Sequence, residues 1–206
     1  MFRPSFNSND ELVDSLVSRG YIESEKVEDA FRSVDRAGFV PDERQDEAYN
    51  DYALPIGEEA TISAPHMVAI NTELLAAEDG DSVIEIGSGS GYQLAVLSEM
   101  VGDSGSVKGV EIDGELVRES RERVEGRENI DILHGSGFQP VNEQRRYDRI
   151  LYSCAIDSIE EAKPGLKDDG IIVAPVNEGD HQVVKRYRNG EITRHQRVRF
   201  VDFREE

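Results

Sequence analysis

Three glycines spaced by single serines, Gly87-Ser88-Gly89-Ser90-Gly91, stand between an apolar strand-like segment, Val83 to Ile86, and a helix-like one, Tyr92 to Met100. A strand that hands over to a helix through such a run can turn tightly, and no side chain obstructs a ligand lying on the backbone. The spacing discriminates among ligands. A dinucleotide fingerprint needs a third small residue at position 92, which is Tyr92, and a P-loop needs Lys followed by Ser or Thr after its glycine. Neither condition is met, so the run fits neither of these two nucleotide-binding patterns.

From Ser82 onward short apolar runs alternate with amphipathic ones. Strands are expected at Val83 to Ile86, Val107 to Glu111, Ile130 to Leu133, Arg149 to Ser153 and Ile171 to Val176, with helices around Tyr92 to Met100, Leu116 to Val124 and Ser158 to Lys163. This alternation predicts a doubly wound, mostly parallel sheet. Upstream, Leu12, Val13, Leu16 and Val17 share a helical face that ends at Gly20, and Ser24 is placed to cap a second helix. A Pro- and Gly-punctuated stretch, Tyr52 to Ala64, then leads into a helix from about Pro65 to Leu75. Downstream, Gln182 to Tyr187 and Thr193 to Phe203 read as a hairpin joined at Asn189-Gly190. The 206 residues suit one domain, with residues 1–80 forming an N-terminal helical cap and residues 81–206 the α/β core.

Glu85-Ile86-Gly87-Ser88-Gly89-Ser90-Gly91 resembles motif I of the class I methyltransferases. The resemblance implies a Rossmann-like fold and S-adenosyl-L-methionine as cofactor, leaving S-adenosyl-L-homocysteine, with Glu85, Gly87, Ser88, Gly89, Ser90 and Gly91 contributing to its site. It also implies that Glu111, at the end of the next strand, accepts hydrogen bonds from the ribose hydroxyls. A carboxylate has acceptor sites for two donors. Asp113 reads instead as a helix N-cap.

Residues 54–69, Leu-Pro-Ile-Gly-Glu-Glu-Ala-Thr-Ile-Ser-Ala-Pro-His-Met-Val-Ala, resemble the signature of the protein-L-isoaspartate O-methyltransferases. Similarity extends to Val27 to Ala30, Phe39 to Pro41, Leu166 to Pro175 and Val198 to Val201. The resemblance implies methylation of the α-carboxyl of isoaspartyl residues in damaged proteins; the ester then closes to a succinimide that can reopen as aspartate. It gives Ser63 the active-site role and places Thr61, Ile62 and His66 beside the substrate. By residue chemistry alone Ser63, two residues before Pro65, reads rather as a helix N-cap, and it is the resemblance over residues 54–69 that reverses this reading. The chain departs from the family pattern in three places. Gly135-Ser136-Gly137 replaces Gly-Asp-Gly, so that Ser136 is left to receive the adenine amino group; Ser153-Cys154-Ala155 replaces an Ala-rich segment; and Glu58 and Glu59 precede Ala60, where a Gln is frequent.

The 43 acidic residues against 23 basic give a net charge of −20, and Arg greatly outnumbers Lys. Asp and Glu are interspersed through apolar-periodic segments rather than gathered in a tail, as expected of a folded acidic surface. Molar salt shortens the Debye length to about 3 Å and removes most of the self-repulsion of such a surface. A high-salt cytoplasm, and with the family resemblance a halophilic archaeal source, is the expectation. No run approaches a membrane span, no basic patch suggests nucleic acid, and a monomer is expected. Cys154 is the single cysteine and is read as a small buried hydrophobe. No metal is expected, since His134, His181 and His195 lack ligand spacing.

Overall fold

The structure, a computed structural model, describes residues 6–57, 59–137 and 146–204. Ser8 and Ser24 open the first two helices, α1 (Asn9–Ser18) and α2 (Glu25–Ser33), each hydroxyl accepting a backbone N–H from the first turn. Two short 3₁₀ segments follow, Arg36–Phe39 and Asp42–Glu47. A two-stranded ribbon, β1 (Leu54–Pro55) and β2 (Thr61–Ile62), then delivers the chain to α3 (Pro65–Leu75).

The core alternates β3 (Ser82–Ile86), α4 (Tyr92–Val101), β4 (Ser106–Glu111), α5 (Gly114–Arg123), β5 (Ile130–His134) and β6 (Tyr147–Tyr152). It continues through β7 (Leu166–Glu178), β8 (His181–Arg188) and β9 (Glu191–Val198). The sheet order is β5-β4-β3-β6-β7-β8-β9; the first five run parallel, and β8 and β9 are added by antiparallel pairing. This is the doubly wound, mostly parallel sheet that the alternation foretold, in the Rossmann-like form that the resemblance implied and with the C-terminal hairpin expected at Asn189-Gly190. Asn189 and Gly190 both take positive φ, 51° and 86°, as a type I′ turn requires.

Alternation along the strands sorts side chains onto two faces. Val83, Val107, Leu151 and Val173 join the apolar residues of α1 to α4 in one cluster, while Ile84, Ile150, Tyr152 and Ile172 pack in another with Ile159 and Ala162. At about 1.5–3 kcal/mol for each fully buried aliphatic side chain, these layers fix which ends of the strands meet the loops.

Three boundaries differ from expectation. Ile159–Gly165 is 3₁₀ rather than α, with Pro164 inside it unable to continue an α-helical ladder. β7 runs thirteen residues from Leu166, because β6 holds one edge and β8 the other. The last strand stops at Val198 instead of reaching Phe203: the Gln182 side chain accepts the Phe200 N–H at 2.6 Å and donates to its carbonyl at 3.2 Å, so a side-chain amide replaces the ladder there. No helix among the described residues is long and apolar enough to cross a membrane.

Candidate active site

A cavity of 1050 Å³ opens where β3, β4, β5 and β6 end, bounded on the far side by the β2–α3 junction and by residues 197–204. Open α/β sheets bind ligands at these carboxyl ends. A hollow of 1160 Å³ lies at the opposite ends, around Ser82, Ser106 and Tyr147, and contains neither the glycine run nor residues 54–69.

The glycine loop forms one wall. Gly87, Gly89 and Gly91 take φ of 82°, 49° and 85°, conformations costly to other residues. Gly87 and Gly89 face the cavity, whereas a Cβ on Gly91 would meet Ser120 and Val124 of α5 at 3.3 Å. Gly91 therefore sets the helix packing rather than touching the cavity. Ser88 and Ser90 are buried off the lining, and Ser90 Oγ accepts the Tyr92 N–H at 3.4 Å. Glu85 lies behind the loop, 1% exposed; Ser153 Oγ donates to its Oε1 at 2.5 Å, and Oε2 has no partner among the described residues. Burial first, and then the nearby Glu111 charge, push the Glu85 carboxyl up to about 8, against the bond from Ser153.

Glu111 lines the adjoining wall. Its Oε2 accepts the Gly89 N–H at 2.8 Å, and Oε1 accepts those of Ile112 and Asp113 at 2.9 and 3.1 Å. Asp113 itself caps α5, accepting the N–H groups of Glu115 and Leu116. Gly135 and Ser136 reach the cavity from the end of β5. An open glycine backbone, a carboxylate fixed at the next strand end and a hydroxyl one strand further fit a nucleoside-type cofactor. Among the described residues no group of three or more His, Cys, Asp or Glu side chains could hold a metal ion.

Across the cavity stand Thr61, Ser63 and His66, while Ile62, 3% exposed, turns into the core and does not line it. Ser63 is not a helix cap: Ala64 occupies that position without a side-chain bond. The Ser63 hydroxyl has no protein partner among the described residues, and its carbonyl accepts Arg36 Nη2 at 2.8 Å. Arg36 is fully buried, gives Nε to the Ala48 carbonyl at 3.0 Å, and lies 5.1 Å from the Tyr92 ring centre. Burial draws its guanidinium down to about 10, which leaves it charged at neutral pH. Asp51 secures His66, accepting its backbone N–H at 3.0 Å and lying 2.7 Å from ring Nδ1, while Arg19 pairs with the other oxygen at 2.8 Å. Burial pushes the Asp51 carboxyl up, but the His66 bonds outweigh it and hold the group below its ordinary value.

Sequence reasoning missed Arg36 and Asp51. An arginine set between the apolar residues Val34 and Phe39 was the available signal for Arg36; nothing local marks Asp51. Cys154, read from sequence as a buried hydrophobe, instead lines the cavity half-buried, because the chain leaves β6 at Tyr152. Burial and the Glu111 and Glu85 charges push its thiol up to about 12, so it stays protonated.

The family described as Protein-L-isoaspartate(D-aspartate) O-methyltransferase (PCMT) matches residues 7–206. A Protein-L-isoaspartate O-methyltransferase of Fervidobacterium nodosum is 44% identical over 168 residues, 80% of this chain and 84% of the relative. One of Pyrobaculum arsenaticum is 41% identical over 197 residues, 93% of this chain and 96% of the relative. Among solved structures, the protein of that description from Plasmodium falciparum, in complex with S-adenosyl-L-homocysteine, has a TM-score of 0.87 at 25% identity, covering 98% of this chain and all of that one. A family match over residues 7–206, with relatives 41–44% identical over four fifths or more of the chain, makes this chain a member of the protein-L-isoaspartate O-methyltransferase family.

Proposed function

We infer that this chain transfers a methyl group from S-adenosyl-L-methionine to the α-carboxyl of L-isoaspartyl residues in damaged proteins, the first step of their repair. The observation that carries this is the opposition, in one cavity, of the glycine loop with Glu111 to a serine whose hydroxyl has no protein partner among the described residues. Curated relatives at 41–44% identity bear the same activity in their names.

When bound, the cofactor supplies an electrophilic sulfonium methyl. The chain's own residues then have a positioning task. A carboxylate is ionised near neutral pH and needs no general base to become a nucleophile. Ser63 Oγ donates a hydrogen bond that aims it, and Arg36 holds the Ser63 backbone in place from beneath. His66, fixed by Asp51, and Thr61 bound the substrate side; Glu111 and Ser136 hold the ribose and adenine ends, and Gly87 and Gly89 let the cofactor approach the backbone. Glu85, Ser88, Ser90, Gly91 and Ile62 act from behind the lining by shaping it.

The chain works as one domain and a cytoplasmic monomer, with isoaspartyl polypeptides rather than nucleic acid as partner, in a high-salt archaeal cell. Supporting this are the −20 charge and the engagement of most described cations with carboxylates, as in Arg32 with Asp10, Asp14 and Glu28. Unfolding followed across a salt series tests the setting; indifference to salt would refute it.

The activity is tested with peptides differing only in aspartyl or isoaspartyl linkage. Selective labelling of the isoaspartyl peptide is expected, and Ser63→Ala should lower kcat by about 10- to 100-fold, a loss of roughly 1.4–3 kcal/mol, with cofactor affinity kept. Equal labelling of both peptides, or of neither, would overturn the assignment.

A further inference from the structure

Resting on that function, we propose that Arg197 and Arg199 make the enzyme select isoaspartyl sites flanked by acidic side chains. Both arginines line the cavity mouth at the end of β9, both are exposed, and neither side chain has a hydrogen bond or ion pair among the described residues. In a chain with 43 acids to 23 bases that is unusual. Most of the other described cations are taken up by the surplus of carboxylates: Arg118 lies within reach of Glu115, Glu119 and Glu122, Arg149 of Asp81, and both Lys185 and Arg194 of Glu178. The third arginine of the mouth, Arg204, is spent on Glu59 across the opening.

The acids that share this cavity are tied down elsewhere. Glu111 accepts three backbone N–H groups and Asp113 caps α5, both on the cofactor side. Asp202, nearest the arginines in sequence, accepts from the Asn177 and Gln182 amides. Among the described residues, Arg197 and Arg199 are the charges at the mouth that remain without a protein partner. Their spacing of two residues at a strand end suits an extended peptide, whose alternate side chains fall at a similar interval. Carboxylates on that peptide would meet guanidinium groups, whereas lysines would be repelled; such complementarity discriminates between partners more than it adds affinity.

The test uses three isoaspartyl peptides of one length, with Glu, Gln or Lys at the positions on either side of the isoaspartate. They are compared at the lowest salt in which the chain stays folded and again at about 2 M. In the wild type, kcat/KM should favour the Glu-flanked over the Lys-flanked peptide by roughly three- to tenfold, mainly through KM, because each exposed pair is weak. The ratio should shrink toward one at 2 M, where the Debye length is about 2–3 Å. Arg197→Gln/Arg199→Gln should abolish the preference, and Arg197→Glu/Arg199→Glu should invert it, an outcome that impaired folding cannot produce. Equal rates for the three peptides in the wild type, or a preference that survives both double substitutions, would overturn the proposal while leaving the methyltransferase activity standing. Methylation of none of them would overturn the activity and this selectivity with it.

Discussion

Glu85→Gln should change how stability depends on pH. The Glu85 carboxyl is raised from its ordinary 4.5 to about 8 by burial, so between those values the folded chain holds a proton that the unfolded chain has lost. Stability from this group is thus greatest in acid and declines as pH rises through the window; above about 8 the buried charge exacts its full cost. At 1.36 kcal/mol for each pH unit over which the folded form binds one extra proton, the decline between pH 5 and pH 8 comes to about 3 kcal/mol. Gln has no proton to lose. It keeps an oxygen for the Ser153 hydroxyl but puts an amide where Oε2 lacks a partner, a fixed cost of about 1–3 kcal/mol. That offset is the same at every pH, so the informative quantity is the gap between the two proteins. Urea unfolding without cofactor, at pH 5, 6, 7 and 8 and constant high salt, should show the variant gaining about 3 kcal/mol on the parent, or roughly 6–12 °C in Tm for a chain of this size. A gap that stays constant within about 1 kcal/mol would refute the reasoning.

Arg36→Met should cost about 2–4 kcal/mol in unfolding free energy, because the Ala48 and Ser63 carbonyls lose their donor, and should lower kcat more than cofactor affinity. Glu111→Ala removes one acceptor shared by three backbone N–H groups; calorimetry should show S-adenosyl-L-methionine bound roughly 30- to 100-fold more weakly. Ser136→Asp, placing a charge where the adenine amino group is expected, should tighten cofactor binding about three- to tenfold, and unchanged affinity would remove Ser136 from the site.

Much of the architecture was legible because local rules governed it. Ser24 and Asp113 cap the helices that their positions announced, Pro65 opens α3, and the Val- and Ile-rich runs of β3 and β4 became strands within two residues of their expected ends. Legibility failed where a distant partner decided the outcome. Ser63 looked like a cap by spacing, yet its carbonyl is claimed by Arg36, twenty-seven residues earlier. Asp51 reaches His66 across fifteen residues through a loop with no periodicity to read. The end of β9 was set by the side chain of Gln182, which no pattern in residues 191–203 could announce. Within the site, the glycine run was legible as a strand-to-helix turn, but spacing alone could not tell that Gly87 and Gly89 face the cavity while Gly91 faces α5.

The three backbone bonds gathered by Glu111 bear on the thermodynamics of the cofactor site. One carboxylate joins the loop after β3 to the turn after β4, so the relative placement of two walls is decided when the chain folds. Ordering a residue costs about 1–2 kcal/mol, and here that cost falls on folding rather than on association. Cofactor capture should accordingly resemble docking into a rigid mould, with bimolecular kinetics lacking a slow unimolecular phase and a heat-capacity change accounted for by the surface covered.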